Sequence, residues 1–71
     1  MESKQKEQLE GEVIEALPSL RFKVRLDNGK EVLAYLSGRM ALHKIKVLPG
    51  DRVIVEFHPF DKTKGRIIRR K

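Results

Sequence analysis

The chain has 71 residues, a formal net charge of +6, 37% charged residues and no cysteine. That length confines it to one domain with a small core, and the missing cysteine excludes disulfides and thiolate-bound metal. No apolar run approaches the roughly 18 residues of a membrane-spanning helix, and the polar start Met1–Glu7 lacks the apolar region of a signal peptide. A reducing compartment, the cytoplasm, is the expected location. Charge is unevenly spread. Residues 1–15 hold five acids against two bases, and residues 16–71 hold 14 bases against five acids. A cationic body of this kind favours an anionic partner, RNA or DNA above all. A membrane partner is disfavoured, because no basic amphipathic helix of useful length is visible.

Residues 1–8 read as a flexible polar tail and residues 9–71 as a single domain. Strand one is expected from Leu9 to Ala16. The adjacent Val13 and Ile14 face opposite ways unless a bulge intervenes, and Gly11 permits such a bulge or a sharp bend. Pro18 and Ser19 mark a loop. Strand two covers residues 20–26 and holds the most informative stretch of the chain. In an extended strand, successive side chains point to opposite faces. Phe22, Val24 and Leu26 then face a core, while Arg21, Lys23 and Arg25 form a cationic outer row. Three parallel cations repel one another, so stability alone does not favour them, and an anionic partner gives them a use.

Asp27-Asn28-Gly29-Lys30 is a hairpin turn. Strand three runs from Glu31 to Leu36, with Val32, Ala34 and Leu36 on one face and Leu33 and Tyr35 on the other. Tyr35 then stands beside the cations of strand two, either as a stacking platform for bases or as a cover for the barrel. Residues 39–44 form one or two helical turns with Ser37 as a cap. Pro49-Gly50-Asp51 is a turn. Strand four runs from Arg52 to Phe57, His58 to Lys64 is a loop, and strand five runs from Gly65 to about Arg69.

Five short strands with a helical insert between strands three and four describe an all-β protein, a five-stranded OB-fold Greek-key barrel. An SH3-like barrel has a similar strand count, and the insert after strand three favours the OB barrel.

Motifs for catalysis are missing. There is no glycine-rich phosphate loop and no Cys/His cluster. His43 and His58 lie 15 residues apart in separate loops and read as surface residues, and Asp51 and Asp61 read as turn residues. No enzyme, cofactor or metal is expected. The cations are denser. Arg39, His43, Lys44 and Lys46 cluster at the insert, and Lys62, Lys64, Arg66, Arg69, Arg70 and Lys71 crowd the last strand and its loop. Strands two and three with their flanking loops are the usual oligonucleotide surface of an OB barrel. Gly38 and Gly65 permit close backbone approach to a ligand or relieve a turn.

An ordered set of motifs spans nearly the whole chain: Gly11-x-Val13, Glu15-Ala16-Leu17-Pro18, Phe22-x-Val24-x-Leu26-Asp27-Asn28-Gly29, Ala34-Tyr35-x-Ser37-Gly38-Arg39-Met40, Leu48-Pro49-Gly50-Asp51-Arg52-Val53 and Lys64-Gly65-Arg66-Ile67. It resembles the bacterial translation initiation factor one family. The resemblance implies an OB protein that binds 16S ribosomal RNA at the aminoacyl-tRNA (decoding) site of the small ribosomal subunit. It implies blocking of premature tRNA binding there, displacement of two adenines of the decoding helix, and joint action with initiation factors two and three. It also implies RNA contacts at the basic positions Arg39, Lys46, Lys64, Arg66 and Arg69. The chain departs from the family pattern at Ala41, Lys44 and Lys46, where the family usually has a basic residue, an aromatic and an arginine. Lysine lacks the flat bidentate fork of arginine, and His43 and Lys44 add charge or a ring nearby.

The full set of expected RNA contacts is therefore Arg21, Lys23, Arg25, Tyr35, Arg39, Met40, His43, Lys44, Lys46, Lys64, Arg66 and Arg69, on a monomer. Two other readings stay open. A general single-strand binder or RNA chaperone of cold-shock type needs several exposed aromatics, and this chain has one tyrosine and three phenylalanines. A protein-interaction module with an acidic partner is the other.

Overall fold

The computed structural model describes residues 7–58 and 61–71, with the side chains of all but 58 and 61–63 among them. Five strands close into a barrel: β1 (Glu7–Leu17), β2 (Arg21–Leu26), β3 (Glu31–Leu36), β4 (Arg52–His58) and β5 (Asp61–Arg70), with a short helix α1 (Gly38–Leu42) between β3 and β4. The order around the barrel is β1-β2-β3-β5-β4, with β4 returning to β1. β3 and β5 pair in parallel and every other pair is antiparallel. This is the OB arrangement; its helix lies between strands three and four, as expected.

The inner face follows from the two-residue period. Phe22, Val24 and Leu26 of β2 are buried and join Val13, Ala34, Val53, Val55, Phe57 and Ile67 in one core. Arg21 and Arg25 lie outside, and Lys23 is half-buried on the same outer row. The hairpin turn is a three-residue loop. The Leu26 amide donates to the Lys30 carbonyl at 2.7 Å, and Gly29 takes the left-handed φ of +91° that this turn requires.

Several expectations are corrected. Glu7 and Gln8, expected in the tail, pair with Phe57 and Glu56 of β4; residues 1–6 lie outside the described residues. Strand one is irregular at Ile14, between Val13 and Glu15, and not at Gly11. Gly11 instead marks the bend where β1 serves two neighbouring strands, as expected. It pairs with Leu26 on one side and Val53 on the other, and a Cβ there would sit 2.6 Å from the Arg25 carbonyl oxygen and 2.8 Å from a Val24 methyl. The stretch His58–Lys64, read as a loop, is largely strand: His58 ends β4 and β5 begins at Asp61. Gly65 faces the core and not a ligand, and a Cβ there would meet Val55 at 2.2 Å.

One polar cluster ties the barrel together. Arg52 of β4 donates to Glu10 of β1 at 2.9 Å and to both carboxylate oxygens of Asp27 at 2.8 Å, and Lys71 reaches Glu10 at 3.4 Å. The Arg52 guanidinium holds the Glu10 carboxyl below its ordinary range, and Asp27 and Glu10 in turn raise the Arg52 value. A lowered carboxyl pKa adds stability above the ordinary carboxylate range, and that stability is lost as pH falls through the folded value.

Candidate nucleic-acid interface

α1 begins where Ser37 accepts a hydrogen bond from the Met40 amide at 3.2 Å. The Ser37 amide itself donates to the Ile67 carbonyl at 3.0 Å, which pins the start of the helix to β5. The helix ends in a Schellman motif. The Ile45 amide donates to the Met40 carbonyl at 3.0 Å, and the Lys44 amide to the Ala41 carbonyl at 3.1 Å. This places Lys44 in the left-handed region, at φ +54°, a position that glycine usually fills. The insert therefore holds Arg39, His43 and Lys44 on a short rigid turn, all exposed.

Arg39 faces β5 across a groove of about 700 Å³. Arg66 and Arg69 of β5 line the same groove, with Ile54 and Ile68 beside them and with Glu56 and Gln8 on the β4–β1 side. Glu56 is 15% exposed and accepts an ion pair from the Arg66 guanidinium. The carboxylate thereby fixes the direction of that side chain. A second, smaller hollow of about 220 Å³ lies on the outer face of β3, lined by Arg21, Leu33, Ala34, Tyr35 and Lys64. The two concavities adjoin through the sheet register, because Tyr35 pairs with Arg66 and Leu33 with Lys64.

The expected site residues thus fall into groups. Arg39, Arg66 and Arg69 share the groove, and Arg21, Tyr35 and Lys64 share the hollow. His43, Lys44 and Lys46 are exposed on the insert and the segment after it, and line neither concavity. The Lys46 carbonyl accepts from Arg70 at 2.9 Å, which ties that segment to the end of β5. Lys23 and Arg25 lie on the outer row but face carboxylates, Lys23 near Glu15 at 4.0 Å and Arg25 bonded to Glu31 at 3.1 Å. Met40 is corrected. Its side chain is 3% exposed and belongs to the core, because the cap directs the third helical residue inward. Lys62 lies outside the described side chains.

Among the described residues, Arg21, Lys30, Arg39, Lys44, Lys46, Lys64, Arg69 and Arg70 have no side-chain ion pair. Apart from Lys30 in the hairpin turn, this uncompensated charge gathers on α1, the segment after it, β5 and the adjoining part of β2. Arg52, by contrast, is fully engaged by Glu10 and Asp27. An arrangement of this kind can neutralise phosphates and lay guanidinium planes against bases. Sequence reasoning missed Glu56, Gln8, Ile54, Ile68 and Leu33 as lining residues. Alternation alone puts Ile54 and Glu56 on one face of β4, but their meeting with Arg66 depends on the β4–β5 register.

The family description "Translation initiation factor 1A / IF-1" matches residues 1–71 of this chain. Among solved structures, the chain is similar to translation initiation factor one from the wolbachia endosymbiont strain TRS of Brugia malayi, at 44% identity over 97% of this chain and 82% of that one, with a TM-score of 0.79. It is also similar to YjeQ from Thermotoga maritima, at 26% identity and a TM-score of 0.72, covering 92% of this chain and 23% of the other. The second likeness sets the same barrel inside a longer chain and speaks to the fold. The full-length family match and the 44% identity go further: this chain belongs to the translation initiation factor 1A / IF-1 family.

Proposed function

We propose that this protein binds 16S ribosomal RNA at the aminoacyl-tRNA site of the small ribosomal subunit, keeps tRNA from binding there too early, and supports initiation factors two and three. It acts by occupancy and local distortion of RNA, as a cytoplasmic monomer, without catalysis and without a cofactor. The observation that carries this reading is the groove itself, in which Arg39 of α1 and Arg66 and Arg69 of β5 line one concavity. A barrel of known initiation-factor family with three arginines around one groove suits a folded RNA better than a small metabolite. Arg66 and Lys64 anchor one side, and Arg39 and Lys46 the other.

The test is co-sedimentation with purified small subunits, with and without an antibiotic that occupies the decoding site. The protein is expected to sediment with the subunit and to be displaced by the antibiotic. Arg66→Ala is expected to weaken binding about tenfold, in line with the loss of one charge-assisted contact, while its thermal unfolding stays close to that of the parent. Equal displacement by random single-stranded RNA would support a general chaperone instead. Binding that survives nuclease treatment would support a protein partner.

A further inference from the structure

We propose that the hollow on the outer face of β3 is a subsite for one unpaired nucleotide of an RNA strand, its base on Tyr35 and Leu33 and its phosphates on Arg21 and Lys64. This rests on the RNA-binding reading above and deepens it. Tyr35 is 50% exposed and Leu33 41% exposed, so two large apolar groups lie side by side in water on one strand. Ala34 contributes to the floor between them. Cations stand on both sides: Arg21 pairs in register with Tyr35 across β2, and Lys64 with Leu33 across β5.

The charge pattern marks this spot among its neighbours. Of the three cations on β2, Arg25 is bonded to Glu31 and Lys23 faces Glu15. Arg21, the one beside the tyrosine, has no carboxylate partner among the described residues, and neither has Lys64. Two uncompensated cations flanking an apolar floor repel each other and gain from an anion laid between them. An apolar floor with an aromatic face and two flanking cations suits a flat ring joined to phosphates. A duplex hides its bases in the stack and offers no such ring. An acidic peptide supplies charge without the flat face. The register also gives the strand somewhere to go, because Tyr35 adjoins Arg66 and the groove of Arg39 and Arg69 begins there.

Tyr35 is the only tyrosine and the chain has no tryptophan, so intrinsic tyrosine fluorescence reports this hollow and nothing else. The full chain is titrated with a short single-stranded RNA, with the same strand lacking one base, and with a polyglutamate of equal charge. The intact RNA is expected to quench Tyr35. The abasic strand is expected to bind about tenfold more weakly, as loss of one stacked base requires, and the polyglutamate is expected to leave the emission unchanged. Arg21→Ala and Lys64→Ala are each expected to weaken RNA binding several-fold more than Lys30→Ala, which removes the same charge from the hairpin turn. Equal affinity for the intact and abasic strands, or equal quenching by polyglutamate, would overturn the proposal. Sedimentation with the small subunit separates the two readings. If the parent and Tyr35→Leu sediment equally well, the subsite is refuted and the ribosomal role stands. If the parent does not sediment, the ribosomal role fails, and the fluorescence titration still decides the subsite.

Discussion

Arg66 answers to two neighbours. The β5 backbone sets where its stem leaves the barrel, and Glu56 sets where its guanidinium ends. Glu56 also accepts from Gln8 at 3.4 Å, so it is held from the β1 side as well. Simple charge counting says that removing this carboxylate from a cationic groove should tighten RNA binding. The geometry says otherwise, since a guanidinium held in one direction loses less entropy on meeting a phosphate. Glu56→Gln is therefore expected to weaken subunit binding about fivefold, roughly 1 kcal/mol, even though it makes the chain more positive. Tighter binding of that variant would show that Glu56 restrains Arg66 instead of aiming it. Met40 teaches the opposite lesson about residues. It stands next to Arg39 in a motif that resembles a binding loop, yet one step along a capped helix is enough to turn a side chain from groove to core.

Elements differ in how openly the sequence announces them. β2 was legible from alternation alone, because three apolar and three cationic residues interleave without a break. The hairpin was legible from Asn28-Gly29, and the helix start from Ser37. The first half of β5 was not. Asp61-Lys62-Thr63-Lys64 has no apolar member to mark a face, and only its pairing with β4 at one end and β3 at the other makes it a strand. The groove was hidden for the same reason. Two irregularities in the β4–β5 register decide which residues face which, and no local pattern encodes them. Gly11 was legible as the point where β1 turns to serve two neighbours, although the bulge it could also have permitted lies at Ile14. It lets β1 serve β2 and β4 at once, with the Arg25 carbonyl where a side chain would begin. Gly11→Ala is expected to cost about 1–3 kcal/mol and to lower the unfolding temperature by roughly 5–20 °C, read by calorimetry. RNA affinity of the folded fraction should be unchanged, because Gly11 lines neither concavity.

At the scale of the whole molecule, the largest acid–base cluster lies apart from most of the free charge, while Arg66 pairs with Glu56 within the groove. Arg52, Glu10, Asp27 and Lys71 neutralise one another where β1, β4, the hairpin and the C-terminal end meet. Arg21, Arg39, Lys64 and Arg69 stay uncompensated around the groove and hollow. Binding through about four phosphate contacts, at Arg39, Lys46, Lys64 and Arg66, predicts that the logarithm of the association constant falls with the logarithm of salt concentration at a slope of roughly −3. Filter binding across a salt series measures it, and a slope near zero would remove phosphate neutralisation as the driving force.

The parallel register of β3 with β5 joins residues 33–36 to residues 64–67, and it sets the order in which competence appears. Translation makes β5 after the other four strands. Until that ribbon docks, Arg39 has no opposing wall, and Arg66 and Arg69 lie on an open segment. On the function proposed above, a growing polypeptide of this sequence is expected not to hold RNA before β5 is made. Proteolytic clipping after residue 58 would likewise remove β5 and with it the closure of the barrel.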